Sequence, residues 1–164
     1  MVNTEIQLLL SQHRFIRGRL LQLLQEIEDS GRAEEAIHFR IKMGSTERAH
    51  IGWQMLHCAA TLDRYIHFRI LQGEPKDKDL VKNYGFGSKP DSTIRTSPIE
   101  IRTKLQETTD LYYKYFEGLI VESLDVLPHS QSEKTYKDIL ILLNWHEAEH
   151  MGQCQITWNT FRGL

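Results

Sequence analysis

The sequence contains few cysteines and no long apolar run. Its only two cysteines, Cys58 and Cys154, lie far apart and form no Cys-x-x-Cys pair. Small disulfide-stapled domains need more cysteines, so we expect two free thiols in a reducing compartment. No apolar stretch approaches the roughly 18–20 residues that span a bilayer, and no charged-then-apolar leader opens the chain. These absences predict a cytoplasmic protein that does not associate with membranes.

The sequence also lacks an excess of charge of either sign. It has 20 Lys and Arg against 22 Asp and Glu, a formal net charge of −2, and its basic residues are scattered along the chain. A nucleic-acid-binding protein normally carries a basic patch, so nucleic acid is not an expected partner. Hydrophobic residues make up 40% of the 164 positions, which is enough to bury a full core. We predict one domain spanning residues 1–164.

The first predicted helix begins at Thr4 and ends at Gly31. Its apolar residues recur at alternating steps of three and four, which is the pattern of a helix packed nearly parallel to its neighbours. His13 lies on this apolar face. We interpret it as a core histidine, with a role beside a metal or as an extra ligand as the alternative. The connector that follows, up to Gly44, is predicted to be extended along the bundle without a sheet to join.

The second predicted helix takes Ser45 or Thr46 as its N-cap and runs to about Gln72. Residues 74–96 are rich in Lys, Asp, Gly and Ser and show no helical period, so they are predicted to be a long loop. Such a loop reaches roughly 75 Å when extended, whereas a helix of about 28 residues is roughly 42 Å long. The loop can therefore cross the full height of a bundle, and the third helix is expected to run parallel to the second.

The third and fourth predicted helices have clear start signals. Ser97–Glu100 combines a serine N-cap, a proline at the first helical position and a glutamate three residues after the cap. This helix is predicted to stop before Pro128. Ser130 with Glu133 is predicted to open the fourth helix, which runs towards the end of the sequence. The fold class that we predict is therefore all-α, a four-helix bundle with a long crossover loop between helices two and three.

Two histidines on the fourth helix indicate a metal site. His146 and His150 are four residues apart, so both imidazoles lie on one face of a helix and can reach one divalent cation. The His-Glu-x-x-His pattern of zinc proteases also fits, but it requires a further ligand downstream. The fourteen residues after His150 contain no His, Asp or Glu. The pattern therefore argues against a protease, and a third ligand is expected upstream.

The position of each histidine along its helix indicates which one is the third ligand. The pair on helix four lies near the middle of that helix, and His57 is the histidine nearest the middle of helix two. His50 lies two turns away, roughly 10 Å, which is too far to share an ion with His57. We interpret His50 as a surface or capping histidine. His57 is therefore predicted to complete the site.

Two other metal arrangements fit parts of the sequence. Glu47–His50 and Glu147–His150 both fit the Glu-x-x-His spacing of di-iron bundles. Glu47 falls in the first turn of its predicted helix, however, and helices one and three supply no glutamate at a matching depth. Cys154 lies one turn beyond His150 and could be a ligand, but we interpret it as a small buried apolar residue.

Two segments, Trp53–Ala60 and His146–Gln153, together resemble the metal motifs of the DinB-like proteins. The resemblance extends over nearly the whole chain. It implies a four-helix bundle of up-down-down-up topology with a metal held by three histidines. It also implies His57, His146 and His150 as ligands, in agreement with the choice from depth.

The resemblance further implies a range of activities. Members include thiol-dependent S-transferases that use mycothiol, bacillithiol or glutathione, a maleylpyruvate isomerase branch and many proteins without known activity. We therefore expect a cytoplasmic metal-dependent transferase acting on a small-molecule substrate, with zinc, nickel or iron as the ion. A metal-dependent hydrolase and a non-catalytic bundle, dimeric through an apolar face, are the alternatives.

Several charged residues are candidates for roles in such an enzyme. Glu147 and Glu149 flank the ligand positions and are the candidate general bases, although supporting or solvated roles are favoured for both. Arg64 and the lysine-rich loop 76–89 are candidate groups for binding the carboxylates of a thiol.

Overall fold

The computed structural model describes residues 4–91 and 93–164 and is mostly helical. No helix in these ranges combines the length and apolar character needed to cross a bilayer. Most of the helical residues lie in α1, α3, α5 and α6. In chain order the elements are α1 (Thr4–Asp29), α2 (Ala33–His38), β1 (Lys42–Met43), β2 (Thr46–Glu47), α3 (Ile51–Asp63), a π-helical segment (Arg64–Ile70), α4 (Lys78–Tyr84), α5 (Pro98–Glu117) and α6 (Tyr136–Arg162).

The four long helices pack side by side, with α1 and α3 each contacting both α5 and α6. Arg14, in the first half of α1, forms an ion pair with Glu117 at the end of α5, and Glu28 near the end of α1 forms one with Arg102 near the start of α5. The two helices therefore run antiparallel. Lys137 at the start of α6 pairs with Glu5 at the start of α1 at 2.9 Å. The helices α1 and α6 therefore run in the same direction.

The buried apolar residues form two clusters, one towards each end of the long helices. One cluster includes Leu20 and Leu24 of α1 with Met55 of α3, and the other includes Leu10 of α1 with Tyr112 of α5. Each fully buried leucine contributes about 1.5–3 kcal/mol relative to an exposed one. Between the clusters, α1 and α6 contribute buried polar side chains, among them His13, Arg17, Asn144 and Glu147. This polar layer is where the candidate site lies.

The start of helix two was predicted wrongly. The helix begins at Ile51 rather than after Ser45 or Thr46, and His50 is its N-cap. The Nδ1 atom of His50 lies 3.1 Å from the backbone nitrogen of Trp53, the usual N-cap bond, and 2.9 Å from the carbonyl oxygen of Ile37. Because one nitrogen cannot be both acceptor and donor, the ring makes one of these bonds at a time. The contact with Trp53 confirms that His50 is a capping residue. Because the residue is only 3% exposed, it does not lie at the surface.

The connector before α3 also differs from the prediction. It contains the short helix α2 and an antiparallel hairpin in which Met43 pairs with Thr46. Gly44, at the turn, has a φ of +61°, a conformation that glycine adopts without steric cost. Each strand of the hairpin has the other as its hydrogen-bonding partner. The single extended segment that we predicted would have had no such partner.

Residues 74–96, predicted to be a loop, contain the helix α4. Asp77 is its N-cap, and its side chain accepts a hydrogen bond from the backbone nitrogen of Leu80 at 2.9 Å. The buried carboxylate of Asp63 accepts hydrogen bonds from the backbone nitrogens of Lys76 and Asp77 at 3.0 and 2.8 Å. Asp63 thus fixes the path from the π-helical segment into α4, a contact that local sequence patterns do not report.

The start of the last long helix was misplaced as well. The helix α5 ends at Glu117, well before Pro128. The helix α6 begins at Tyr136 instead of following Ser130 and Glu133, because Thr135 and Asp138 form a reciprocal capping box. A capping box satisfies two backbone donors at once, and a serine with a glutamate at the right spacing does not guarantee that this geometry forms.

Replacing Asp63 with alanine should lower the free energy of unfolding by about 1–3 kcal/mol, because the backbone N–H groups of Lys76 and Asp77 lose a buried acceptor. Urea denaturation of the metal-free protein measures this loss. Asp110→Ala is the matched control, because this exposed carboxylate accepts a hydrogen bond from the side chain of Gln106 and anchors no backbone group among the described residues. Equal stability of the two variants would contradict the anchoring role of Asp63.

Candidate metal centre

Three histidines from two helices converge at one point. His57 of α3 and His146 and His150 of α6 each offer one ring nitrogen, and these nitrogens lie within 4.8 Å of one another. Within residues 4–91 and 93–164, no other group of three His, Cys, Asp or Glu side chains converges this closely. The structure therefore brings together the three residues that the sequence predicted to be ligands.

The local structure explains the convergence. His146 and His150 are one helical turn apart on α6, and their ring centroids are 4.6 Å apart. The ring centroid of His57 lies 4.9 Å from that of His146 and 4.8 Å from that of His150. The ring of His57 thus faces both rings of α6 at the same level of the helix pair.

The ring of His57 is oriented by two contacts. Its Nδ1 atom lies 2.5 Å from the carbonyl oxygen of Tyr84. Because a carbonyl can only accept, Nδ1 carries the proton and Nε2 keeps its lone pair. The indole of Trp53, one turn earlier on α3, stacks on the ring at a centroid distance of 4.7 Å. Contacts of this kind hold a metal-binding histidine in the correct tautomer and orientation.

The three imidazoles are neutral at pH 7. Burial lowers the pKa of His57, and burial together with the neighbouring histidines lowers the pKa of His146 to about 4 and that of His150 to about 3. Neutral imidazole is the form that binds metals.

One nitrogen of each ring lies at the centre of the cluster, where it can bind a cation once it carries no proton. The Nε2 atom of His57 lies 3.0 Å from the Nε2 atom of His146. The Nδ1 atom of His150 lies 3.3 Å from the side-chain oxygen of Gln54 and donates a hydrogen bond to it. Three neutral imidazoles with converging ring nitrogens fit zinc, nickel, iron or copper, which all accept nitrogen ligands of this type.

Glu147, one of the candidate bases, is buried and points away from the cluster into an ion pair. The Nε and NH2 groups of Arg17 donate to its two carboxylate oxygens at 2.5 and 2.6 Å. Burial alone would raise the pKa of this carboxyl group, but Arg17 and His13 lower it to about 2. Sequence reasoning missed Arg17, although it lies four residues after His13 and therefore on the same face of α1.

His13 lies behind the cluster and is not one of the converging residues. Its Nε2 atom is 3.3 Å from a carboxylate oxygen of Glu147, and its Nδ1 atom is 2.9 Å from the hydroxyl of Tyr113. The ring also stacks on Tyr112 at a centroid distance of 4.1 Å. The predicted core position of His13 is confirmed, since the residue is fully buried. Its polar contacts are with Glu147 and Tyr113 and not with the histidine cluster.

The remaining candidates lie outside the cluster. Glu149 is exposed on α6 and accepts a hydrogen bond from Gln153 at 3.3 Å. Cys154 is fully buried, and its burial raises the pKa of its thiol. Both cysteines are free and buried. Glu47 lies in the strand β2 and not in a helix, so the spacing needed for a di-iron site is not formed.

Comparison with known proteins gives one family match. The model of the DinB superfamily matches residues 12–154, a range that contains all three clustered histidines as well as Arg17 and Glu147. No curated protein matches the chain.

Glu147→Ala should lower the free energy of unfolding by about 3–5 kcal/mol, because it leaves the guanidinium of Arg17 buried without its partner. Urea denaturation in the presence of a chelator measures this effect apart from any metal. Glu149→Ala, two residues along the same helix, should change stability by less than about 0.5 kcal/mol. A small effect of Glu147→Ala would show that water reaches Arg17 in the variant and that the pair does not organise the core.

Proposed function

The chain belongs to the DinB superfamily, and from this membership and the histidine cluster we propose that it binds one divalent metal through His57, His146 and His150. We further propose that it is an enzyme that joins a low-molecular-weight thiol to an electrophile. The observation that carries the proposal is the convergence of three neutral imidazoles within 4.8 Å. Three protein ligands leave a position open for a small molecule, as in catalytic metal sites.

The helix directions support a bundle of up-down-down-up topology. Gln54 lies beside His150 and His57 beside His146, so α3 runs antiparallel to α6. Since α6 is parallel to α1 and α5 is antiparallel to it, α3 and α5 run in the same direction. The segment between α3 and α5, which contains α4, would then be the long crossover of such a bundle.

The chemistry follows from the donor set. A divalent cation held by neutral imidazoles keeps a bound thiol deprotonated near neutral pH. The chain contributes the orientation of His57 by Tyr84 and Trp53 and a partly buried setting that limits access of water. In the reaction the thiol would release its proton to water and its sulfur would form a bond to the electrophilic carbon. In a displacement the bond from that carbon to the leaving group breaks and the leaving group takes the electron pair; in an addition the carbon–carbon or carbon–oxygen π bond breaks and its far atom takes up a proton from water.

The position of the glutamates favours thiol transfer over hydrolysis. Hydrolysis needs a general base within hydrogen-bond reach of the attacking water. Glu147 is engaged by Arg17, and Glu149 is exposed with its carboxylate bonded to Gln153. A thiol that is already deprotonated needs no general base. Among the described residues, no carboxylate belongs to the histidine cluster, and this arrangement is compatible with thiol chemistry.

The family also includes proteins without known activity, and a non-catalytic metal-binding bundle is therefore the second candidate.

Ile141 and Trp145 lie one turn apart on α6 and are 50% and 62% exposed. An apolar face of this kind suits a homodimer, which we propose as the assembly in either case.

Replacing both His146 and His150 with alanine should abolish stoichiometric metal binding, because only one of the three ligands remains. Elemental analysis of protein made without a histidine tag measures the metal content. His129→Ala, which removes a histidine that bonds to the backbone of Arg69, should leave it unchanged. Full metal content in the double variant would sink the ligand assignment.

Adding metal to chelated protein should raise the melting temperature. An ion present at a hundredfold excess over its Kd stabilises the folded state by about 2.7 kcal/mol if it does not bind the unfolded chain. Differential scanning calorimetry with zinc, nickel and iron(II) in turn measures the shift. The His146→Ala/His150→Ala protein should show no shift, and an equal shift in both proteins would place the ion elsewhere.

Metal-loaded protein should conjugate a low-molecular-weight thiol to monochlorobimane faster than the His57→Ala variant does. The thiols to compare are glutathione, bacillithiol and mycothiol, with the fluorescent conjugate as the readout. Equal rates for every thiol, together with a metal-dependent esterase or amidase activity, would favour hydrolysis instead. Equal rates without any such activity would favour the non-catalytic candidate.

A further inference from the structure

A cavity of about 360 Å³ lies between the π-helical segment, the chain that precedes α6 and the start of α6 itself. Phe68 and Arg69 line it from the π-helical segment, His129 from the chain before α6, and Ile139 from α6. None of the three clustered histidines is among its lining residues. Its volume falls within the range of small-molecule sites, so the cavity is large enough to hold a ligand of its own.

His129 joins two sides of this cavity through both of its ring nitrogens. Its Nε2 atom lies 2.8 Å from the carbonyl oxygen of Arg69. Because a carbonyl can only accept, Nε2 carries the proton and Nδ1 is the acceptor. The side-chain nitrogen of Gln72 lies 3.0 Å from this Nδ1 atom and donates to it. In this arrangement the ring of His129 is uncharged and is used to hold the wall.

Gln72 has a backbone conformation that is unusual for its residue type. It follows the C-cap of the π-helical segment with a φ of +56°, at a position where glycine is the usual residue. Its side chain contacts His129 and lies 3.4 Å from the side-chain oxygen of Gln131, and glycine could make neither contact. Strained residues of this kind occur most often at ligand sites, where the surrounding structure holds them in place.

The charged residues that line the cavity favour an anion. Arg69 and Lys134 are its cations, and Glu133 is the one carboxylate among the lining residues. None of these three takes part in the ion pairs found among residues 4–91 and 93–164. Two cations against one carboxylate leave a positive wall, and a guanidinium without a partner can bind a carboxylate through two parallel hydrogen bonds.

The rest of the lining is aromatic and aliphatic. Tyr65, Phe68 and Ile139 supply this surface, and the guanidinium carbon of Arg69 lies 5.5 Å from the ring centroid of Phe68. A ligand whose carboxylate bonds to Arg69 would therefore place its body against an aromatic ring, which favours a flat aromatic body. Arg64, a candidate from the sequence for binding carboxylates, lies 5.7 Å from the same ring but does not line the cavity.

We propose that this cavity is a second ligand site, separate from the histidine cluster, and that it binds a small aromatic carboxylate. The carboxylate bonds to Arg69, and the aromatic body lies against Phe68. The site requires neither a metal nor the proposed enzymatic activity, because no clustered histidine lines it.

The test compares three probes by ligand-observed NMR, in which the full-length protein is titrated into each probe at pH 7. The probe 2-naphthoate carries both the charge and the aromatic body, 2-naphthamide keeps the body without the charge, and acetate keeps the charge without the body. The wild-type protein should bind 2-naphthoate with a Kd below about 1 mM, and the other two probes about tenfold more weakly or worse.

Arg69→Gln should bind 2-naphthoate no more tightly than the wild-type protein binds 2-naphthamide, because the charge-assisted hydrogen bonds are lost. Arg48→Gln is the matched control, since Arg48 is exposed and does not line the cavity. Phe68→Ala should weaken binding of 2-naphthoate because the aromatic contact is removed. Its control is Phe15→Ala, at an exposed phenylalanine of α1 outside the cavity. Both controls should bind 2-naphthoate like the wild-type protein.

A carboxylate could also bind to an ion held by the clustered histidines, and the His146→Ala/His150→Ala protein separates the two sites. This variant should bind 2-naphthoate like the wild-type protein, whether or not the proposed function is correct. Loss of binding in the histidine variant with full binding in Arg69→Gln would place the carboxylate on the metal and overturn the inference. Equal binding of 2-naphthoate and 2-naphthamide, or no saturable binding of 2-naphthoate by the wild-type protein, would overturn it as well.

Discussion

The buried ion pair between Arg17 and Glu147 is the interaction on which the arrangement of the long helices depends. It joins α1 to α6 in the polar layer between the two apolar clusters, and Arg17 also donates to the carbonyl of Leu105 on α5 at 3.0 Å. Glu147 directly follows His146 and precedes His150 by three residues. Because a buried carboxylate must face its partner, the pair fixes the rotation of α6 and turns both histidines towards α3.

A second set of contacts positions the histidine of α3. Asp63 anchors the segment that leads into α4, and the backbone carbonyl of Tyr84, the last residue of α4, accepts a hydrogen bond from the Nδ1–H group of His57. The length and direction of α4 therefore set the orientation of the third imidazole. The cluster thus depends on two buried carboxylates, Asp63 and Glu147, neither of which is one of the converging residues.

The sequence was sufficient for the features that depend on local spacing. Periodicity predicted the helical character and placed His146 and His150 on one face of a helix. The position of His57 near the middle of its predicted helix indicated that it lies at the level of this pair, and the structure brings the three together. The family match agrees with the resemblance of the motifs. The features that it did not predict depend on contacts between distant residues. The helix α4 is held by Asp63 from another element, and the start of α3 is set by His50, a residue type rarely used as an N-cap. Arg17 received no role from the sequence pattern, because its partner Glu147 lies on a distant helix.

The charge balance of the polar layer connects the fold to the proposed chemistry. Arg17 and Glu147 cancel each other, and the three imidazoles are neutral because burial lowers each pKa. The protein groups around the cluster therefore contribute almost no net charge, and a bound divalent ion would keep its two positive charges. Such a site attracts an anionic ligand more strongly than a neutral one, since opposite charges interact strongly in a partly desolvated setting. A thiolate is an anion of this kind. If Glu147 were free to face the cluster, its negative charge would offset part of this attraction. The pairing that stabilises the core would therefore also favour anions at a metal bound here.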